Sequence, residues 1–160
     1  PMGRTASGVR GISMTESDEV VGMVTVEDFS KTVLVVSENG YGKRTYLNDP
    51  ETDEPIYRVT NRGGKGVKTL NITDKTGNLI AIKDVTDDDD LMIINKSGIT
   101  IRMHVADIRS QGRATQGVKL INLKGSDQIA AVAKVERDED DEILMDNEST
   151  DDSGNIIDNE

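Results

Sequence analysis

Three stretches of this chain superimpose on one another residue by residue, and that internal repetition narrows the possible folds more than any other feature. GRTASGVRGI (3–12), NRGGKGVKTL (61–70) and GRATQGVKLI (112–121) each run arginine, three variable residues, Gly-Val, then a cation. The arginines are Arg4, Arg62 and Arg113, the glycines Gly8, Gly66 and Gly117, and the closing cations Arg10, Lys68 and Lys119. The glycines stand 58 and 51 residues apart, and a further arginine lies four residues upstream in two copies, at Arg58 and Arg109. In the first copy that position would precede residue 1, so the chain reads as starting inside a repeat. Fixed-period self-similarity means one supersecondary unit used several times, each burying its apolar face against the next.

The rest of each unit repeats too. DEVVGMVTV (18–26), GNLIAIKDV (77–85) and SDQIAAVAKV (126–135) are Val- and Ile-rich segments that follow a turn. TVLVVSENGYGKRT (32–45) matches LMIINKSGITIRM (91–103), with Gly40 against Gly98 and Arg44 against Arg102. Short apolar runs bounded by Gly, Asn, Asp and Ser predict strand–turn–strand, and no convincing helix of ten residues is visible. Units of about 50 residues with about four strands predict an all-β, propeller-like arc of four-stranded blades, here about three of them. The expected repeats are 1–57, 58–108 and 109–137, followed by an acidic tail over 138–160.

Charge supports that division. All 19 Lys and Arg fall within residues 1–137, and 11 of the 30 acids fall within 138–160, so a neutral body carries a tail with the whole net charge of −11. A segment so charged and so poor in apolar residues is expected to be disordered. The chain has no cysteine, hence no disulfide framework and no thiolate metal site. No apolar run approaches the roughly 20 residues that span a bilayer, and no leader is visible, so the expectation is a cytoplasmic protein with no membrane partner. One phenylalanine, three tyrosines and no tryptophan leave little for stacking single-stranded bases.

Regular stacking of the units sets the Arg–Gly loops at equal intervals along one edge. Glycine lets backbone approach a ligand closely, and amide N–H groups with flexible cations suit phosphate oxygens. A curved row of such contacts, without a base-reading element, fits a surface that bends duplex DNA. Bending 20–30 base pairs through 40–90° costs on the order of 1–6 kcal/mol, so many contacts are needed to offset it. Neutralising six to eight phosphates would give a log–log salt slope of roughly −5 to −7. The expected DNA contacts are Arg4, Arg10, Lys43, Arg44, Arg58, Arg62, Lys65, Lys68, Arg102, Arg109, Arg113 and Lys119; no catalytic or metal-binding residue is expected.

The strings PMGRTASGVRGI, NGYGKRT, YRVTNRGGKGV, NKSGITIRM and GRATQGVKLI, with the acidic tail, make the chain resemble the C-terminal β-pinwheel domains of DNA gyrase A. The likeness covers almost the whole body. It implies roughly the last three of six blades, a rim that wraps double-stranded DNA, and support of ATP-dependent negative supercoiling by a parent type II topoisomerase in the bacterial cytoplasm, associated with the nucleoid. It implies protein partners too: gyrase B and a second copy of gyrase A in a heterotetramer. The nucleophilic tyrosine, ATP and Mg sites of such an enzyme have no counterpart here, so the fragment is expected to have no cofactor and no chemistry of its own. TNRGGKG (60–66) is similar to the family's heptapeptide hallmark, Q-R-R-G-G-R-G, but reads as a degenerate copy in a later blade.

Other features have plainer readings. Tyr41, Tyr46 and Tyr57 are expected to pack on strands or edges. His104 lacks a second His or Cys partner, DDDD (87–90) reads as a solvated turn between strands, and the four acids of LNDPETDEP (47–55) argue against DNA contact there. The alternatives are the C-terminal domain of the topoisomerase IV counterpart of gyrase A, a propeller-type scaffold for protein partners, or a metal-dependent hydrolase built on the aspartate run.

Overall fold

The computed structural model describes residues 2–136; the acidic tail expected over 138–160 lies outside the described residues. The fold is all-β, with two antiparallel sheets and no α-helix among those residues. No helix there is long and apolar enough to cross a membrane. The strands are β1 (Thr32–Ser37), β2 (Tyr41–Tyr46), β3 (Leu79–Val85), β4 (Asp89–Asn95), β5 (Thr100–His104), β6 (Val118–Lys119) and β7 (Ile129–Glu136). One sheet has the order β3-β1-β2-β6, the other β5-β4-β7.

The repeats are visible in the pairing. β1–β2 and β4–β5 are equivalent hairpins, and each turn rests on a glycine at positive φ, Gly40 at 84° and Gly98 at 88°, where a side chain would be strained. The first strand of each hairpin takes its other neighbour from the following unit, β3 against β1 and β7 against β4. Both ladders bulge at the same place, between Val36 and Ser37 and between Ile94 and Asn95. β6, from the third unit, then pairs with β2. Each sheet therefore mixes strands from more than one repeat, and the units are locked together by backbone hydrogen bonds as well as by packing.

β1 explains its own sequence. Alternate side chains face opposite sides of a strand. Leu34 and Val36 join the larger core with Leu91, Ile93, Val105, Ile108, Ile121 and Ile129. Val33 and Val35 join a second cluster with Leu47 and Leu70, on which Tyr57 packs. With both faces covered, an unbroken apolar run is required.

Two expectations are corrected. Residues 18–26 form no strand. Their counterparts β3 and β7 pair with β1 and β4, whereas residues 18–26 pair with no strand among the described residues. Val20 and Met23 are accordingly 67% and 87% exposed. The aspartate run is a solvated turn only in its first half. Asp87 and Asp88 are exposed, whereas Asp89 and Asp90 are buried on β4. Asp87 pairs with Arg44, Asp89 accepts from the Thr86 amide at 2.7 Å and lies 3.9 Å from Lys134 Nζ, and Asp90 holds Arg102 and His104, each at 2.6 Å. The run satisfies cations and a turn amide, which its composition alone does not reveal.

Candidate nucleic-acid interface

The Arg–Gly loops lie side by side and are hydrogen-bonded edge to edge. Between the first and second, the Gly63 amide donates to Gly11 O at 2.9 Å, the Ser13 amide to Gly64 O at 2.9 Å and Ser13 Oγ to Gly63 O at 2.6 Å, with a parallel bridge between Ile12 and Gly64. Between the second and third, Arg113 Nη1 donates to Lys68 O at 2.8 Å, the Asn71 amide to Thr115 O at 3.0 Å and Gln116 Nε2 to Thr73 Oγ1 at 3.3 Å. The first loop thus touches the second and the second touches the third, so the order along the edge is the order in the chain. Gly8, Gly66 and Gly117 share one backbone state, with φ of 82°, 75° and 81°. At Gly117 a Cβ would lie 2.6 Å from Gly42 O, so only glycine lets the third loop reach β2.

Arg4, Arg10, Arg58, Arg62, Lys65, Lys68, Arg109 and Lys119 are exposed, and Arg113 is half-buried. All lie in or beside the three loops. Arg102 is also exposed, but it sits on β5 with its guanidinium 2.6 Å from the buried carboxylate of Asp90, which neutralises it.

Lys43 and Arg44 are corrections. Expected as DNA contacts, they are instead 0% and 8% exposed. Lys43 Nζ donates to Gly112 O at 2.5 Å, Arg113 O at 2.6 Å and Thr115 Oγ1 at 3.1 Å. Burial, and secondarily the nearby charge of Arg113, pull its pKa down to about 8. Arg44 donates from Nε to Ile108 O at 2.5 Å and pairs with Asp87. Both cations face the polypeptide because residues 108–115 fold over β2 and the β3–β4 turn brings Asp87 to Arg44, long-range contacts with no local signature.

Sequence reasoning missed Lys75. Its ammonium sits 5.5 Å from the centre of the Tyr41 ring, in a cleft that Lys119 also lines. Lys75 has no counterpart in the Arg–Gly repeat, so periodicity offered no signal for it.

Known proteins share this repeat pattern and this fold. The family model described as "DNA gyrase C-terminal domain, beta-propeller" matches residues 1–27, 31–49, 57–86 and 89–136. DNA gyrase A of Staphylococcus aureus strain NCTC 8325 / PS 47 is 51% identical over 151 residues, which is 94% of this chain and 16% of that protein. The protein of the same name from strain MRSA252 is 52% identical over 143 residues, 89% of this chain and 15% of its own length. This chain thus spans about a sixth of these curated relatives. Among solved structures, a DNA gyrase A C-terminal domain superposes with a TM-score of 0.54 at 26% identity, covering 64% of this chain and 33% of that one. The C-terminal domain of a DNA topoisomerase IV superposes with a TM-score of 0.71 at 21% identity over 88% of this chain and 42% of its own, a likeness of fold. With a matching family model over most of its length and the repeats built into two interlocked sheets, the chain belongs to the DNA gyrase C-terminal β-propeller family.

Proposed function

We propose that the chain binds duplex DNA along the edge formed by its three Arg–Gly loops and bends it, as a non-catalytic part of gyrase A. The observation that carries this reading is the direct contact of each loop with the next, Gly63 on Gly11 and Arg113 on Lys68, which makes one continuous row of the exposed cations. Phosphates along a bent duplex recur at regular intervals, and a row of cations set by repeated backbone geometry meets them without reading bases. In this reading the parent type II topoisomerase, with a second gyrase A, gyrase B, ATP and Mg, carries out strand passage and negative supercoiling elsewhere, in the bacterial cytoplasm. This segment would supply only the wrapped duplex and need no cofactor.

The test is binding to duplexes of increasing length over a salt series. A wrapping edge should favour duplexes longer than about 20–30 base pairs, with a log–log salt slope of roughly −5 to −7. Affinity that ignores both length and salt would refute it.

A further inference from the structure

We infer that the backbone of residues 112–114, together with the Arg113 guanidinium, forms a seat for a phosphodiester, and that Lys43, Arg44 and Thr45 are the positioning residues that shape it. The inference rests on the DNA-binding reading above and names which atoms of the third loop take the phosphate and which buried groups prepare them.

Three consecutive residues of β2 satisfy the carbonyl side of this loop. Lys43 and Thr45 point to the same face of the strand. Lys43 Nζ donates to Gly112 O and Arg113 O, and Thr45 Oγ1 donates to Gln111 O at 2.8 Å. Arg44, on the opposite face, donates to Ile108 O, and its own carbonyl accepts from the Gln111 amide at 2.9 Å. With the carbonyls held inward, the amides of Gly112, Arg113 and Ala114 donate to no acceptor among the described residues, while Gly112 and Ala114 are exposed. Lys43 has no carboxylate partner among those residues, so its charge lies uncompensated beneath the loop. Consecutive unpaired amides above a cation, beside a guanidinium, favour an anion with several acceptor oxygens. The second loop is built differently. Gly63, its counterpart of Ala114, has its amide taken up by Gly11 O, and its Gly63 and Gly64 carbonyls accept from Ser13 rather than from a buried cation. The third loop is thus better pre-organised for phosphate than the second.

The test uses the full chain with a duplex of about 30 base pairs, near neutral pH, with inorganic phosphate as the competing small anion. Duplex should slow amide exchange at residues 112–114, and inorganic phosphate at the same phosphate concentration should not. Lys43→Met should lower duplex affinity about tenfold, the scale of one charge-assisted hydrogen bond, and speed exchange in 112–117 while β1 and β4 amides stay as protected as in the wild type. Thr45→Val, which changes no charge, should move affinity and loop exchange in the same direction. Wild-type affinity in Thr45→Val with a loss only in Lys43→Met would reduce the effect to long-range charge and overturn the positioning role. Duplex binding with no slowing at 112–114 would overturn the seat. If Lys43→Met does not fold, Thr115→Ala takes its place beside Thr45→Val. Failure of the wild type to bind duplex at all would instead sink the DNA-binding reading, and the seat with it.

Discussion

Burying an ammonium costs several kcal/mol unless its hydrogen bonds are met, and Lys43 meets them with two carbonyls and a hydroxyl rather than with a carboxylate. Its lowered pKa has a measurable consequence. A base whose folded pKa, about 8, lies below its ordinary 10.5 binds fewer protons in the folded state across that interval. Stability from this group therefore rises as pH climbs from about 8 toward 10.5, and below 8 it does not change. Urea unfolding of the wild type and of Lys43→Met across that range should show the wild type gaining on the variant; a constant difference would show that Lys43 is not desolvated. Gly117 poses a steric test. Gly117→Ala adds a Cβ 2.6 Å from Gly42 O on a residue at φ 81°. A loss of about 2–4 kcal/mol is expected, read from thermal or urea unfolding, with β6 freed from β2.

Among the strands, β4 shows how a polar start serves a buried element. Asp89 and Asp90 open it, and Asp90, 1% exposed, fastens β5 through Arg102 and His104. Asp90→Asn keeps the shape but removes the charge that both partners approach. A destabilisation of about 2 kcal/mol is expected, and amide exchange should speed in β5 more than in β7, which is held to β4 by its full ladder. The run DDDD looks like solvent-facing acid in sequence because its cationic partners lie 12 or more residues away. Arg44 lies 43 positions away in the chain and reaches Asp87 only once β2 and the β3–β4 turn are assembled. Residues 18–26 fail in the opposite sense. Their β propensity is evident, yet a strand exists only where a neighbour accepts its hydrogen bonds.

The molecule as a whole binds its units by sharing strands, and hydrogen bonds join each Arg–Gly loop to the next along the edge. Replacing Arg4, Arg62 and Arg113 together by alanine should flatten the salt slope of duplex binding by roughly 3, about 0.9 for each phosphate no longer neutralised. The same charge reduction at Lys83, Lys96 and Lys124, outside the three loops, should leave the slope near the wild-type value. Equal slopes for the two triple variants would mean that net charge, and not the row of loops, governs binding.

The repeats, the hairpins with their turn glycines, the all-β class and the positions of the loop arginines are all legible in the chain before it folds, because each is written in local periodicity and in residues of restricted backbone chemistry. Which cations face solvent is decided only by folding. Lys43 and Arg44 have the composition of a phosphate-binding pair, but β2 lies beneath a loop some 70 residues further along, and those carbonyls claim the charges first. Folding also decides that each sheet draws on more than one repeat, since strand pairing depends on which edges meet in space, and no short window of sequence records that.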